Sequence, residues 1–399
     1  MLQKISCFAV AAVCVFLFSV ASFAVDRGDL FRGHRVNGMG GAFTAVADDE
    51  NAFFYNPAGI TQRQGSLMQI FTIDTQISDL SFFRDNFSKI SDFNTLSPAE
   101  QANILSQIPS IGFGFPNIAY ISAPIAVDDN FISFGLGFFS FGSLDFAFEH
   151  ALPTKIMMDL DITGTLVFAA PIAYHITNLE AISLPGSLSA GVNLKYINRY
   201  RGHLHMDTAD FEDSMIREDV FAGKGFGADL GVIYSFTDEI TFGMQIRDFF
   251  GTKIKYESAS VSTSAWSYSN YTEKIDPTFN IGVSYVPKTI LGLETYNGLT
   301  LAFDLRDIGS DSYPDGDAFD KVHAGAEYRW KAIALRIGLN SGRFATGFGI
   351  ETNGFQLAYS YFGEPTYTST ETAWVNQFTL SWKLGHHKGR PFGEDALEY

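Results

Sequence analysis

The chain has 399 residues and a formal net charge of −17, with 27 Lys and Arg against 44 Asp and Glu. This acidic balance argues against a nucleic-acid partner, because nucleic-acid binding needs clustered positive charge. The mean hydropathy of +0.06 is far too low for a bundle of membrane helices. Aromatic residues nevertheless reach 15%, with 39 Phe, and they recur singly along the chain. That distribution is typical of a wall that faces lipid on one side.

Residues 1–24 have the pattern of a cleaved secretory signal peptide. Lys4 gives a basic start, residues 5–20 are apolar, and the segment ends in small residues at Ala24. Both cysteines, Cys7 and Cys14, lie in this segment. The mature chain is therefore expected to contain no disulfide.

Residues 25–64 carry two turn motifs, a glycine turn and an Asn-Pro-Ala triplet. This stretch resembles the amino-terminal segment of the FadL-type outer-membrane transporters of long-chain fatty acids and other hydrophobic compounds. The resemblance implies that residues 25–64 fold as a hatch inside a β-barrel. The residues that carry it are Gly38, Gly40, Gly41, Asn56, Pro57 and Ala58.

Between residues 65 and 384, about 14 segments of ~10 residues alternate apolar and polar side chains with period two. Residues 187–196 and 299–306 are the clearest. The apolar set must cross hydrocarbon, and there only a closed barrel satisfies the hydrogen bonds of the strands. The sequence therefore predicts an all-β fold, a transmembrane antiparallel β-barrel of about 14 strands with the amino-terminal hatch in its lumen.

The connections between these segments alternate in length, as in bacterial outer-membrane barrels with short periplasmic turns and long outer loops. Long loops are predicted at 78–115, 142–164, 201–225, 248–277 and 307–320. The first two are rich in apolar residues, and exposed apolar surface often marks a binding site. These residues either pack against neighbouring loops or form a groove that captures a ligand. The ligand-binding candidates are Phe82, Phe83, Phe87, Phe93, Phe146 and Phe148.

Arg306, Arg329 and Arg336 lie at predicted inward positions of neighbouring strands. The forked donors of arginine suit a carboxylate, so one of the three could bind the carboxylate of a substrate. The alternative is a lining of ion pairs that stiffens the wall and holds the hatch.

The third predicted strand, residues 131–141, places Gly135 and Gly137 on its inward face, where no side chain is expected to fill the space. Pro124 and Pro171 each remove a backbone donor from the strands on either side. The FadL-type resemblance implies a kink in the third strand that opens a path through the wall. The alternative is that these residues only ease the curvature of the sheet.

We predict a monomeric outer-membrane channel that passes hydrophobic molecules without a chemical step, a cofactor or a metal. Its partners would be outer-membrane lipid and a fatty acid or hydrocarbon, released sideways through the wall. One alternative is a barrel resembling the PorV-type components of secretion systems, which binds cargo protein at its outer loops. A second is an ordinary solute porin. Residues 385–399 form a polar periplasmic tail of no assigned role.

Overall fold

A computed structural model of the protein describes residues 33–385, except positions 64, 93–94, 106–107, 153–154, 208–216, 259–269, 291–292, 296–297, 310–317, 353 and 366–371. The predicted signal peptide, Phe93 and residues 386–399 of the predicted tail lie outside the described residues.

Strands dominate the described chain, and the helices are short. The α-helices are α1 (His34–Gly38), α2 (Ala52–Tyr55), α3 (Leu80–Ser91) and α4 (Pro98–Leu105), with 3-10 turns at Pro57–Gln62, Glu180–Ile182 and Ala318–Lys321. The strands are β1 (Leu67–Ile77), β2 (Ile111–Gly114), β3 (Ile118–Ile121), β4 (Ile125–Val127), β5 (Asn130–Leu152), β6 (Lys155–Ile176), β7 (Ser187–Asp207), β8 (Arg217–Ser235), β9 (Ile240–Arg247), β10 (Thr252–Ser258), β11 (Tyr271–Ile275), β12 (Thr278–Tyr285), β13 (Thr289–Ile290), β14 (Leu293–Glu294), β15 (Leu299–Ile308), β16 (Val322–Trp330), β17 (Ile333–Asn340), β18 (Arg343–Glu351), β19 (Phe355–Pro365) and β20 (Thr372–Leu384).

One antiparallel sheet closes on itself. The first strand, β1, pairs with the last, β20, from Met68 opposite Leu384 to Ile77 opposite Asn376. Three crossings of the wall are interrupted and consist of β2–β4, β9–β10 and β11–β12, while β13 and β14 form a separate ribbon. The wall therefore has 14 crossings, and the predicted antiparallel β-barrel of about 14 strands is confirmed.

Two predicted loops are largely strand, and a third is partly strand. Strands β5 and β6 continue through residues 142–164, β7 and β8 continue through most of 201–225, and β10 and β11 occupy part of 248–277. Period-two alternation continues past the predicted boundary at Leu144, Phe146 and Phe148, so β5 extends where the sequence analysis predicts a loop. The structure therefore corrects the predicted bounds of these loops. Because of these longer strands, one side of the wall, from β5 to β11, is taller than the other.

The two faces of the wall differ in chemistry. Outward side chains are apolar and exposed, such as Leu136 at 59%, with Trp374 at 39% and Trp382 at 38% on the last strand. Inward side chains include fully buried polar groups, such as Asp229 and Ser360. In the part of the chain that the structure describes, no helix is long and apolar enough to cross a membrane.

Candidate functional site

Residues 33–63, here called the luminal segment, pack against the inner face of the wall on several sides. Its apolar side chains, including Phe43 and Phe53, are completely buried, and Arg35 is 4% exposed. Contacts reach strands from β5 round to β20, so the segment occupies the interior of the barrel. Three kinds of contact hold it there: a glycine turn, an Asn-Pro-Ala corner and a set of ion pairs.

The glycine turn packs against the strands β15–β17. Gly40 and Gly41 have left-handed φ angles of 64° and 85°, which glycine adopts without strain. The ring of His323 contacts the carbonyl oxygen of Gly40 at 2.9 Å through Nδ1. Just after the turn, the backbone N–H groups of Phe43 and Thr44 donate to the carboxylate of Asp304 at 2.8 and 2.7 Å. A buried wall carboxylate thus satisfies two donors that no regular element would satisfy.

The Asn-Pro-Ala corner connects α2 to the following 3-10 turn. Asn56 accepts a hydrogen bond from Ala58 N through its side-chain oxygen, and its amide donates to Thr44 O at 2.8 Å. The same amide reaches Val232 O of the wall at 3.1 Å. One asparagine therefore joins both halves of the luminal segment to β8, which explains why this position needs both a donor and an acceptor.

Glycines on the inner wall face each other across strands and receive the backbone of the luminal segment. A β-carbon added at Gly191 would lie 2.6 Å from Ala58 N, one at Gly243 would lie 2.3 Å from Thr44 O, and one at Gly325 would lie 2.2 Å from Met39 O. The sequence analysis does not predict this set of paired glycines, although inward glycines that recur in successive strands are a usable signal. The cross-strand pairs are Gly191 and Gly231, Gly243 and Gly282, and Gly325 and Gly338.

Arg35 lies at the centre of the ion pairs. Its guanidinium donates to Glu327 at 2.8 Å and to Asp49 at 2.8 Å, and it also pairs with Asp48. Nearby, Lys383 of the wall contacts Glu50 of the luminal segment at 2.7 Å. The luminal segment and the wall each contribute positive and negative side chains. Ion pairs between them hold the segment against the wall.

Two titratable groups of the luminal segment respond to this burial. Burial and then the neighbouring Arg336 and Lys383 lower the pKa of His34 to about 3, so its imidazole is neutral. For Asp49, burial favours the protonated acid, but Arg35 and Lys383 outweigh it and lower the pKa to about 2. Docking therefore favours a neutral His34 and an ionised Asp49.

Two of the three predicted carboxylate-binding arginines belong to this ion-pair set. Arg329 donates to Glu327 and Glu351, both at 2.9 Å. Arg336 donates to the same two carboxylates at 2.7 and 2.6 Å. Wall carboxylates pair with both guanidinium groups, so the contacts favour the alternative, a structural lining.

The third candidate, Arg306, contacts the luminal segment. Its guanidinium lies 3.4 Å from Gly41 O and 5.2 Å from the centre of the Tyr55 ring. These contacts also favour a role in holding the segment.

The space over Gly135 and Gly137 is filled, contrary to the sequence prediction. A β-carbon at Gly135 would lie 2.7 Å from Cζ of Phe53, and one at Gly137 would lie 2.9 Å from Cε1 of the same ring and 2.3 Å from Phe139. The rings of Phe53 and Phe139 meet edge to face at 5.4 Å. The missing side chains make room for an aromatic contact with the luminal segment, not for an open gap.

The wall is irregular in this sector. The pairing of β5 with β6 passes from Phe134 to Gly137 and skips Gly135 and Leu136, next to Pro171, which has no N–H to donate. On the other side, the break between β3 and β4 spans residues 122–124 and includes Pro124. The two prolines predicted to remove backbone donors therefore lie at two interruptions of regular strand pairing.

A groove of about 580 Å³ lies on the outside of the wall over the same sector. Small inward residues, among them Ala119, Gly137 and Ala169, form its floor. The groove and the apolar core of the luminal segment thus lie on opposite sides of one glycine, separated by Phe53 and Phe139. The walls of the groove are apolar and aromatic outward side chains, including Met68, Tyr120, Leu136, Phe138, Phe168 and Phe226.

The ligand-binding candidates of the outer loops differ in their surroundings. Phe82 of α3 is buried and Phe87 is 74% exposed, while Phe83 contacts the Phe82 ring edge to face at 5.3 Å. Phe146 and Phe148 lie in β5, and only their backbone is described. Phe82 and Phe83 thus pack within the loop, and Phe87 presents free apolar surface.

Comparisons with known proteins match this architecture. The CymD monoaromatic hydrocarbon channel superposes with a TM-score of 0.50 at 13% identity, covering 92% of this chain and 99% of CymD. The Ralstonia pickettii toluene transporter TbuX gives a TM-score of 0.48 at 13% identity, over 89% and 98%. The Pseudomonas putida toluene transporter TodX gives 0.47 at 12%, over 92% and 98%. No curated protein sequence matches the chain.

The barrel fold implied by the FadL-type resemblance is therefore confirmed. A family model also matches residues 53–297, more than half of the 399 residues. On that match, the chain belongs to the family described as F plasmid transfer operon, TraF, protein.

Proposed function

We propose that the protein is a monomeric outer-membrane channel for the passive uptake of hydrophobic compounds. In this proposal the luminal segment is the hatch that closes the barrel, and compounds leave sideways through the wall beside Gly135 and Gly137. A hydrophobic molecule gains nothing by entering the aqueous periplasm, so an exit into the membrane is favourable.

The observation that carries the proposal is the alignment of three features in one sector. The apolar groove lies outside the wall, regular pairing of β5 and β6 is interrupted at Gly135 and Leu136, and the Phe53 ring lies inside. A rotation of Phe53 and Phe139 would join the apolar interior to the groove without breaking a regular strand pair. Fold similarity to a channel named for monoaromatic hydrocarbons supports the substrate class.

The test is uptake by bacterial cells that lack their own channel and express this protein. Radiolabelled toluene and a radiolabelled long-chain fatty acid are supplied separately, so that the substrate class is measured as well. We expect Gly137→Leu to abolish uptake, because its side chain would push the Phe53 and Phe139 rings into a fixed position. Heat-modifiable gel mobility checks that the barrel is folded.

A glycine with free space around it provides the matched control. A β-carbon at Gly202 of β7 would have its nearest neighbour, Ile162, at 3.7 Å, so Gly202→Ala should leave uptake unchanged. Full uptake by a folded Gly135→Leu, Gly137→Leu double variant would exclude the sideways exit.

The same cells separate the alternatives. A solute porin would admit small hydrophilic sugars as readily as toluene. A barrel that binds cargo protein would give no uptake of either hydrophobic compound above that of cells without the protein. Loss of uptake in Phe87→Ser, with the barrel folded, would place ligand capture at the exposed part of α3.

A further inference from the structure

Four lysines form a patch on the outer surface of the taller side of the wall. Lys224 lies on β8, Lys253 and Lys255 lie on β10, and Lys274 lies on β11, and all four are exposed. The chain has 44 acidic and 27 basic residues, so four lysines on one face of neighbouring strands stand out from its overall negative charge. We call these four residues the lysine patch.

Strand register places the members of the lysine patch directly opposite one another. Lys255 faces Lys224, and Lys253 faces Lys274. Like charges directly opposite on one face of a sheet destabilise it. Lys274 pairs with Asp276, but none of the ion pairs found among the described residues involves the other three lysines. Repulsion on this face is therefore only partly compensated, and a bound anion would relieve it.

The patch begins where the apolar outer surface ends. Outward residues of β8 are apolar from Tyr234 up to Phe226, which is 61% exposed, and the next outward residue is Lys224. The chain rises roughly 28 Å between Ser235 and Lys224, at ~3.3 Å per residue and ~40° of tilt, against an apolar band of ~25 Å. The lysine patch therefore lies at the height of lipid headgroups, at the end of the barrel with the long loops.

An aromatic turn protrudes just below the patch. Between the pairs Leu230–Ile246 and Phe226–Lys253, six residues of the β9–β10 crossing face three residues of β8. The extra residues form a turn that exposes Phe249 by 40% and Phe250 by 80%.

A buried cluster inside the wall fixes this turn. The N–H of Asp248 donates to Asp229 at 2.9 Å, and Lys195 donates to the Asp248 carboxylate at 3.0 Å. The exposed rings thus stand on a rigid base at the level of the acyl chains, directly under the lysines.

We propose that this surface binds a phosphorylated lipid of the outer leaflet. Its phosphates would be held by Lys224, Lys253 and Lys255, and its acyl chains would lie against Phe226, Phe249 and Phe250. Charge selects the headgroup and the protruding rings select a lipid over a free anion. The inference rests on the barrel spanning the outer membrane and not on the compound that it transports.

The experiment measures binding of lipid A, a phosphorylated glycolipid, to the purified protein by native mass spectrometry in neutral detergent. A lysine near an anionic lipid surface contributes about a fivefold change in affinity. Lys253→Gln, Lys255→Gln should therefore weaken binding roughly 25-fold and should not reduce thermal stability in the absence of lipid, because it removes both like-charge pairs. Phosphatidylcholine, which carries no net charge, should bind the wild type and this variant equally.

The matched control is Lys288→Gln, Lys331→Gln, which removes the same charge at the opposite end of the barrel, where Lys288 pairs with exposed Asp238 and Lys331 lies near Trp330. It should leave lipid A binding unchanged. Equal binding by the two double variants would overturn the proposal. Inorganic phosphate that displaces lipid A at an equal phosphate concentration would show a free-anion site and would also overturn it. Phe249→Ser, Phe250→Ser should weaken lipid A binding, and unchanged binding would refute the aromatic half of the site.

Discussion

Replacing Arg35 with methionine should release the luminal segment from the wall. The arginine side chain is only 5% exposed, and it contacts Glu327, Asp49 and Asp48. Methionine keeps much of the length and the contact with the Phe43 ring, which lies 5.0 Å from the guanidinium carbon. The change therefore removes charge and hydrogen bonds more than it removes packing.

The expected magnitude follows from which charges lose their partners. Glu327 keeps Arg329 and Arg336 at 2.9 and 2.7 Å, whereas Asp48 and Asp49 lose the guanidinium they share. Removing one partner of a buried ion pair costs about 3–5 kcal/mol. The equilibrium between docked and released segment should therefore shift by roughly 150- to 5,000-fold.

Hydrogen exchange of backbone amides in residues 33–63 measures that equilibrium directly, and ion conductance in planar bilayers measures its consequence. Arg84→Met is the matched control, because Arg84 pairs with Asp85 at 76% side-chain exposure and such exposed pairs contribute little. Exchange rates in residues 33–63 that equal those of the wild type would refute the role of Arg35 as the docking residue.

Three further expectations follow from the same contacts. Because the pKa of His34 is lowered from 6.5 to about 3, the released segment binds a proton more readily than the docked one. Docking should be strongest above pH 6.5 and should lose about 2 kcal/mol between pH 7 and 5; hydrogen exchange should show this, and His34→Asn should flatten the profile. Arg336→Gln should reduce uptake of a fatty acid and of toluene equally, and selective loss of the fatty acid would restore the carboxylate-binding hypothesis. Deleting residues 26–63 should leave a barrel that inserts and conducts ions, since β1 and β20 close the wall by their own hydrogen bonds; unchanged conductance would show that the segment is not the plug.

The sequence predicts the wall well because the period-two alternation is a local signal. Leu188, Ala190 and Val192 alternate with Ser189, Gly191 and Asn193, and that pattern predicts a strand with one apolar face. The ion-pair partner of a buried residue cannot be identified from the sequence around that residue. Arg35 and Glu327 are separated by 292 positions, and nothing near either residue indicates the other. The carboxylate-binding hypothesis for Arg329 and Arg336 arose from that gap, since their partners could not be identified from spacing.

Gly135 and Gly137 belong to a larger set of inward glycines that contact the luminal segment. The sequence predicts open space at Gly135 and Gly137, yet Gly191, Gly243 and Gly325 also face inward and receive the backbone of the luminal segment. Inward glycines therefore contact that segment at several places on the wall, whereas others, such as Gly227, lie nearest to side chains of the wall itself. The sector of Gly135 differs in two other respects: regular pairing between β5 and β6 is interrupted, and its neighbour across the wall is a side chain, Phe53, which can rotate while a backbone cannot. If the wall opens, it should open where a ring and not a backbone closes the gap.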